Sequence, residues 1–228
     1  MTEMIQPTGN GVGAFVNGID LADSLSDNMV GELRNALGEH GVLFFRDQNI
    51  SPEAHMTFAE KFAPINVNRF IAHVDGYPKI TQVLKEPDQK KNIGGGWHTD
   101  HSYDQEPAMG SILVARELPD AGGDTLFADM YKAYEALSPG LKKTLEGLRA
   151  VHSNAHVFGA AGAYKSSDQA AGFKGENLVG EAVHPVVITH PLSGRKALYV
   201  NPAFTTHFEG WTPMESKPLL DYLYVHAS

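Results

Sequence analysis

The segment Gly96-Trp97-His98-Thr99-Asp100 places a histidine and an aspartate two residues apart. Side chains alternate between faces along an extended segment, so His98 and Asp100 are expected to point the same way while Thr99 points away. One imidazole and one carboxylate are two of the three ligands in the 2-His-1-carboxylate set that binds non-haem Fe(II). The spacing suits a metal site and makes His98 and Asp100 candidate metal ligands and catalytic residues. The alternative is a chance pair that faces solvent, because a histidine and an aspartate often lie two residues apart in soluble proteins.

Glycines and apolar runs surround this motif. Residues 94–96 are all glycine, which allows the backbone to approach other groups closely. The apolar run that follows predicts a strand at 110–116, and Gly122-Gly123 predicts a turn before a short strand at 125–128. Elsewhere, apolar periodicity predicts further strands and helices. The predicted strands are 13–21, 42–45, 183–189 and 197–201, and the predicted helices begin at Ser26-Asp27 and Ser51-Pro52 or lie near 129–137, 139–148 and 213–226.

Three blocks of sequence, taken in order, resemble one enzyme family. They are the motif at 96–100, Gly122-Gly123-Asp124-Thr125, and the histidine-containing block at 184–201. Together they resemble the TauD/TfdA family of Fe(II)- and 2-oxoglutarate-dependent dioxygenases. The resemblance implies an α+β, mainly β fold with a double-stranded β-helix core, of the jelly-roll or cupin-like kind, and flanking helices. The closing strands, the third iron ligand and the arginine that binds 2-oxoglutarate are expected beyond Ser228.

The resemblance also implies roles for individual side chains. Thr125 lies where the family places a threonine that hydrogen-bonds a carboxylate of 2-oxoglutarate; the alternative is a strand residue that only packs. Asn68 and Ile71 align with substrate-contacting positions. Phe158 and Phe204 match aromatic positions around the substrate, although buried aromatic residues are commonly just part of a core.

Two further segments require interpretation. Residues 159–177, rich in glycine and alanine, are expected to form a lid over the active site, and the alternative is a plain surface insertion. Arg195 follows His184 by eleven positions, which imitates the family's spacing between its last iron ligand and its 2-oxoglutarate arginine. The surrounding residues match an earlier family block, so Arg195 is interpreted as a hairpin residue.

Composition limits the class of protein. The 228 residues, 42% of them hydrophobic, suit a single domain over 1–228. A net charge of −9 disfavours binding to nucleic acid or to an anionic membrane. The absence of cysteine excludes disulfides and thiolate metal sites. No secretory leader or membrane-spanning stretch is evident, so a cytoplasmic protein is expected.

The resemblance implies a dioxygenase that uses Fe(II), 2-oxoglutarate and O2. Its substrate would be a small organic anion, such as a sulfonate, a sulfate ester or an aryloxyalkanoate, and succinate and CO2 would be released. A homo-oligomer is compatible with the family. One alternative is a truncated noncatalytic relative that binds a small acid or a protein partner. Another is a zinc hydrolase, which would need a further histidine and a general base.

Overall fold

The computed structural model describes residues 3–159, 162–164, 167, 168, 170–173 and 179–228. Within these ranges the chain is a mixed α/β protein. Its helices are α1 (Asp27–His40), α2 (Pro52–Phe62), α3 (Met130–Glu135), α4 (Pro139–Leu145), α5 (Ala155–Phe158) and α6 (Pro213–Ala227). Its strands are β1 (Ile5–Pro7), β2 (Ala14–Val16), β3 (Leu43–Phe45), β4 (His73–Val74), β5 (Tyr77–Thr81), β6 (Arg149–Ser153), β7 (Glu181–Pro185), β8 (Val187–Thr189), β9 (Lys196–Leu198) and β10 (Thr205–Phe208).

The helices begin where the capping residues predict. Ser26 and Ser51 each accept a hydrogen bond from a backbone N–H in the first turn, and proline follows Ser51 at a tolerated position. Gly41 ends α1 in the left-handed region at φ 75°, and its N–H donates to the carbonyl of Leu37. The predicted beginnings of α1 and α2 are therefore confirmed.

The first sheet has the order β1-β2-β3 and lies over α1 and α2. β1 and β2 are antiparallel, whereas β2 and β3 are parallel with Phe15 opposite Phe44. Beneath it, Val16, Leu33 and Phe58 belong to one buried cluster, against which side chains from the 110–116 segment also pack. This cluster fixes the segment that runs beside the metal motif.

The second sheet has the order β10-β6-β7 and carries most of the remaining core. All its pairs are antiparallel, with a register shift in β10 between Thr205 and His207. One face is covered by α3, α4 and α6 through a cluster that includes Leu145 and Phe208. The pairs β4-β5 and β8-β9 form two further small sheets. The interpretation of Arg195 as a hairpin residue is confirmed, because it lies in the connection between the antiparallel strands β8 and β9.

Two predicted strands were wrong. Residues 110–116 and 125–128 form neither helix nor strand. Ile112 and Val114 nevertheless pack on the core while Leu113 is 71% exposed, which is the alternation expected of a strand. A strand also requires a hydrogen-bonded neighbour, and neither segment has one among the described residues. The strand predicted at 13–21 is limited to Ala14–Val16.

Other expectations remain predictions. The strands form four separate small sheets, and a double-stranded β-helix is not directly visible in them. The segment predicted to be a lid, 159–177, falls in part outside the described residues. No helix in the described ranges is long and apolar enough to cross a membrane.

Candidate metal centre

The side chains of His98 and Asp100 converge. Nε2 of His98 lies 3.4 Å from Oδ1 of Asp100. The residues are in an irregular segment rather than the predicted strand, yet the spacing of two brings both side chains to one side. The other ring nitrogen of His98, Nδ1, donates to the carbonyl of Gly96 at 2.7 Å. Because that bond fixes the ring and holds a proton on Nδ1, Nε2 is directed at the carboxylate.

The electrostatics of this pair favour a cation between the two groups. The hydrogen bond with Asp100 raises the pKa of His98 above its ordinary value, and the same contact lowers the pKa of Asp100. Nδ1 of His98 donates a hydrogen bond to the carbonyl of Gly96. The facing Nε2 and Oδ1 atoms are therefore both electron-rich unless a proton or a metal ion lies between them. A metal ion in this position would replace the proton on Nε2.

Two neighbours hold the pair in place. Gly94 adopts φ 70°, and a Cβ there would lie 3.2 Å from Cε1 of His98, so a side chain would crowd the imidazole. The hydroxyl of Ser111 donates to Oδ2 of Asp100 at 3.1 Å. That bond leaves Oδ1 directed at His98. The close approach at Gly94 fits the glycine pattern, whereas no sequence signal identified Ser111.

A 2-His-1-carboxylate site has three protein ligands, and His98 and Asp100 supply two of them. In the ranges that the structure covers, no group of three or more His, Asp or Glu side chains could hold a metal ion. His184 is engaged elsewhere, because its Nε2 donates to the carbonyl of Asp104. His190 accepts hydrogen bonds inside the β8–β9 hairpin, where Arg195 pairs with Glu135 at 2.7 Å. The pair fits Fe(II) as two of its ligands.

A buried turn follows the metal motif directly. His101 has φ 58°, and the N–H of Asp104 donates to its carbonyl at 2.9 Å. The carboxylate of Asp104 accepts a hydrogen bond from Nδ1 of His101 at 2.9 Å and two from Arg69. Burial alone would raise the pKa of Asp104, but the bonds from Arg69 and His101 outweigh burial and lower it. His101, the residue directly after the metal motif, is thus bound to Asp104.

An aromatic cluster lies beside His98. The ring of Phe204, 5% exposed, meets the His98 ring edge-on with centroids 6.5 Å apart. Phe158 lies 6.4 Å from Phe204 and stacks on Phe70 at 4.6 Å. The structure therefore places Phe204 beside His98 and Phe158 against Phe204, in a cluster that also includes Tyr103.

The other predicted substrate residues lie at the edge of that cluster. The side-chain oxygen of Asn68 accepts from the N–H groups of Phe70 and Ile71 at 2.8 and 2.9 Å, closing a local turn. Ile71 packs against the cluster and pairs with Phe173 through an isolated bridge. Asn68 thus stabilises the local turn, and its contact with a substrate stays a prediction.

Thr125 lies in an exposed segment after two glycines of positive φ, Gly122 and Gly123. Trp97 and Phe127 line one open pocket. The segment that carries Thr125 therefore runs beside the metal motif. The role of Thr125 toward 2-oxoglutarate stays a prediction.

Comparison with known proteins places the chain in a family. The model of the family described as "Taurine catabolism dioxygenase TauD, TfdA family" matches residues 4–228. The chain belongs to this family, as the motif at 96–100 predicts. The matched residues include both main sheets and the metal motif, so the site described above lies within the matched region.

Named relatives are dioxygenases that depend on alpha-ketoglutarate. A sulfonate dioxygenase of Saccharomyces cerevisiae is 33% identical over 224 residues, which cover 93% of this chain and 52% of the yeast protein. A 2,4-dichlorophenoxyacetate dioxygenase of Cupriavidus pinatubonensis is 33% identical over 232 residues, covering 94% of this chain and 78% of the relative. The chain thus spans about half the length of the yeast relative.

Solved structures agree with the family assignment. AAD-2, crystallised with Mn(II) and N-oxalylglycine, has a TM-score of 0.74 and 29% sequence identity to this chain. The match covers 100% of this chain and 80% of AAD-2.

Proposed function

We propose that this chain belongs to an Fe(II)- and 2-oxoglutarate-dependent dioxygenase that hydroxylates a small organic anion. The observation that carries the proposal is the pair formed by Nε2 of His98 and Oδ1 of Asp100, 3.4 Å apart and facing each other. Relatives that depend on alpha-ketoglutarate support the class of reaction. Family membership also supports a double-stranded β-helix as the complete architecture.

In this proposal His98 and Asp100 hold Fe(II), and they are the catalytic residues of the described chain. Bound Fe(II) with 2-oxoglutarate would supply the oxidising chemistry, in which O2 delivers one oxygen atom to the substrate and one to succinate while CO2 is released. The hydrogen bond from His98 to Gly96 keeps Nε2 directed at the metal position. The bond from Ser111 keeps Oδ1 of Asp100 directed at the same place. Thr125 is proposed to hydrogen-bond a carboxylate of 2-oxoglutarate.

The substrate is proposed to lie against the aromatic cluster. Phe204 meets the ring of His98 edge-on, and Phe158 lies against Phe204. Asn68 and Ile71 lie at the edge of this cluster. An apolar wall excludes water, which strengthens the electrostatic interactions of the reacting groups. The relatives' substrates support a sulfonate, a sulfate ester or an aryloxyalkanoate. A lid at 159–177, a single domain, a homo-oligomer and a cytoplasmic location stay predictions.

The direct test is succinate formation. The full-length protein that contains this chain is incubated with Fe(II), 2-oxoglutarate and O2, and with an alkyl sulfonate, an alkyl sulfate or an aryloxyacetate in turn. Succinate and the oxidised substrate are then measured for the wild type and for Asp100→Asn. The matched control is Asp221→Asn, which makes the same chemical change at an exposed carboxylate paired with Lys217 on α6.

The proposal predicts substrate-dependent succinate in the wild type and in Asp221→Asn, and only background in Asp100→Asn. Equal succinate from Asp100→Asn would show that this carboxylate is not a ligand. Binding of 2-oxoglutarate without any succinate would favour the alternative, a noncatalytic relative that binds a small acid.

A further inference from the structure

We infer that Asp104, bound by Arg69 and His101, is a positioning residue that directs Asp100 toward the metal. This inference rests on the proposed function, because the metal site is part of it. It assigns a role to a carboxylate that does not face the metal position itself. The turn at 101–104 connects the two residues, and its geometry carries the argument.

Asp100 has few contacts that could fix its own direction. Its side chain is 59% exposed, and its described partners are His98 and the hydroxyl of Ser111. The bond from Ser111 orients the carboxylate group, but it does not set the point at which this exposed side chain leaves the main chain. That point depends on the backbone of Asp100, which continues into His101.

His101 has a backbone conformation that residues other than glycine rarely adopt. Its φ of 58° lies in the left-handed region. Such a conformation is unfavourable for a residue with a Cβ and persists only where surrounding contacts determine it. The contacts here are the hydrogen bonds that join both the side chain and the carbonyl of His101 to Asp104. Asp104 thus stabilises the unusual backbone directly after the ligand.

Asp104 is itself held from two other parts of the chain. Arg69, 35 residues earlier, donates to both carboxylate oxygens in the paired geometry that arginine forms with carboxylates. Nε2 of His184, on β7, donates to the backbone carbonyl of Asp104 at 3.0 Å. Arg69 belongs to the loop after α2, and His184 belongs to the second sheet. Both parts of the chain are therefore joined at Asp104 to the turn that follows the metal motif.

The middle of the turn is anchored in the core. Ser102 is fully buried and accepts a hydrogen bond from the side-chain N–H of Asn201 at 3.1 Å. Tyr103 packs edge-on against Phe204 with centroids 4.8 Å apart. A Cβ at Gly180 would lie 2.9 Å from the Tyr103 ring, so the chain before β7 passes tightly over this turn. The turn is therefore held by contacts with the core, and the exposed residue Asp100 directly precedes it.

The test compares Asp104→Asn with Glu135→Gln. Glu135 pairs with Arg195 through a single, more exposed contact of 2.7 Å at the β8–β9 hairpin, so its substitution also removes one negative charge from an arginine pair, outside the turn. Arg69→Lys is the second variant, because it keeps the positive charge but cannot donate to both oxygens in one plane. Co(II) affinity and the visible Co(II) absorption are measured, together with hydrogen exchange of residues 98–106 in metal-free protein and the thermal melting curve.

Asp104→Asn should bind Co(II) about 10- to 100-fold more weakly, the range found when groups that orient metal ligands are removed. Its Co(II) absorption should change and its turn should exchange faster. Arg69→Lys should lie between this variant and the wild type, and Glu135→Gln should match the wild type. Asp104→Asn and Glu135→Gln each remove one negative charge. If Asp104→Asn only destabilised the fold, it would lower the melting temperature without a selective loss of Co(II) affinity.

The outcomes separate the two ideas. If the wild type binds Co(II) and both Asp104→Asn and Arg69→Lys bind it equally well, the positioning role is overturned while the proposed function stands. If the wild type binds no Co(II), the proposed metal site fails, and the positioning role fails with it. Unchanged exchange of the turn in Asp104→Asn would overturn the inference even where affinity falls.

Discussion

Replacing His152 with asparagine should remove a specific part of the pH dependence of stability. His152 is fully buried on β6, where its Nδ1 lies 3.3 Å from the hydroxyl of Thr205. Its Nε2 has no hydrogen-bond partner in the described part of the chain. Burial, followed by the nearby His184, lowers the pKa of His152 to about 4. Asparagine places an amide near the position of Nδ1 and does not titrate.

The size of the effect follows from the two pKa values. The unfolded state takes up a proton near pH 6.5 and the folded state only near pH 4, so stability is complete above 6.5 and is lost as the pH falls toward 4. Each unit of pKa difference corresponds to about 1.36 kcal/mol. Between about pH 7.5 and 5, the wild type should therefore lose about 2 kcal/mol more than His152→Asn.

Urea unfolding followed by tryptophan fluorescence measures this difference. The free energy of unfolding is determined for both proteins at several pH values, and the change from neutral pH is compared rather than the absolute value. Other titrating groups are present in both proteins and largely cancel. Parallel curves for wild type and His152→Asn would refute the claim that His152 is buried in its neutral form.

Three further changes have expected results. Leu145→Ala, at a fully buried position, should lose about 2–5 kcal/mol in urea unfolding, whereas Leu126→Ala, at a position 71% exposed, should stay within about 0.5 kcal/mol; equal losses would contradict the assigned core. Gly41→Ala should cost about 1–2 kcal/mol because φ is 75° there, and an unchanged melting temperature would argue against that backbone. Ser111→Ala should weaken Co(II) binding about tenfold with little change in melting; unaltered affinity would remove its role in orienting Asp100.

Local signals explain which features could be predicted from the sequence. A serine followed by an apolar helical pattern defines a helix start within a few residues, and Ser26 and Ser51 both cap as expected. The convergence of His98 and Asp100 also depends on a spacing of only two. The two side chains converge although residues 98–100 belong to no strand, so this expectation did not depend on a hydrogen-bonded neighbour.

Non-local contacts explain what could not be predicted. Whether 110–116 is a strand depends on a neighbouring strand, which no local pattern specifies. The pair between Arg69 and Asp104 spans 35 residues, and neither residue belongs to a recognisable motif. The hydrogen bond from Ser111 to Asp100 depends on how the intervening loop folds back. These contacts position the donor pair, and only the folded chain shows them.

The central claim is that His98 and Asp100 bind Fe(II) together with 2-oxoglutarate. The most direct measurement is an anaerobic titration with Fe(II) and 2-oxoglutarate that follows the metal-to-ligand charge-transfer absorption in the visible range. The account predicts this band in the full-length protein that contains this chain and in its Asp221→Asn variant, and its loss in Asp100→Asn. A full-length protein without the band, or an equal band in Asp100→Asn, would contradict the account.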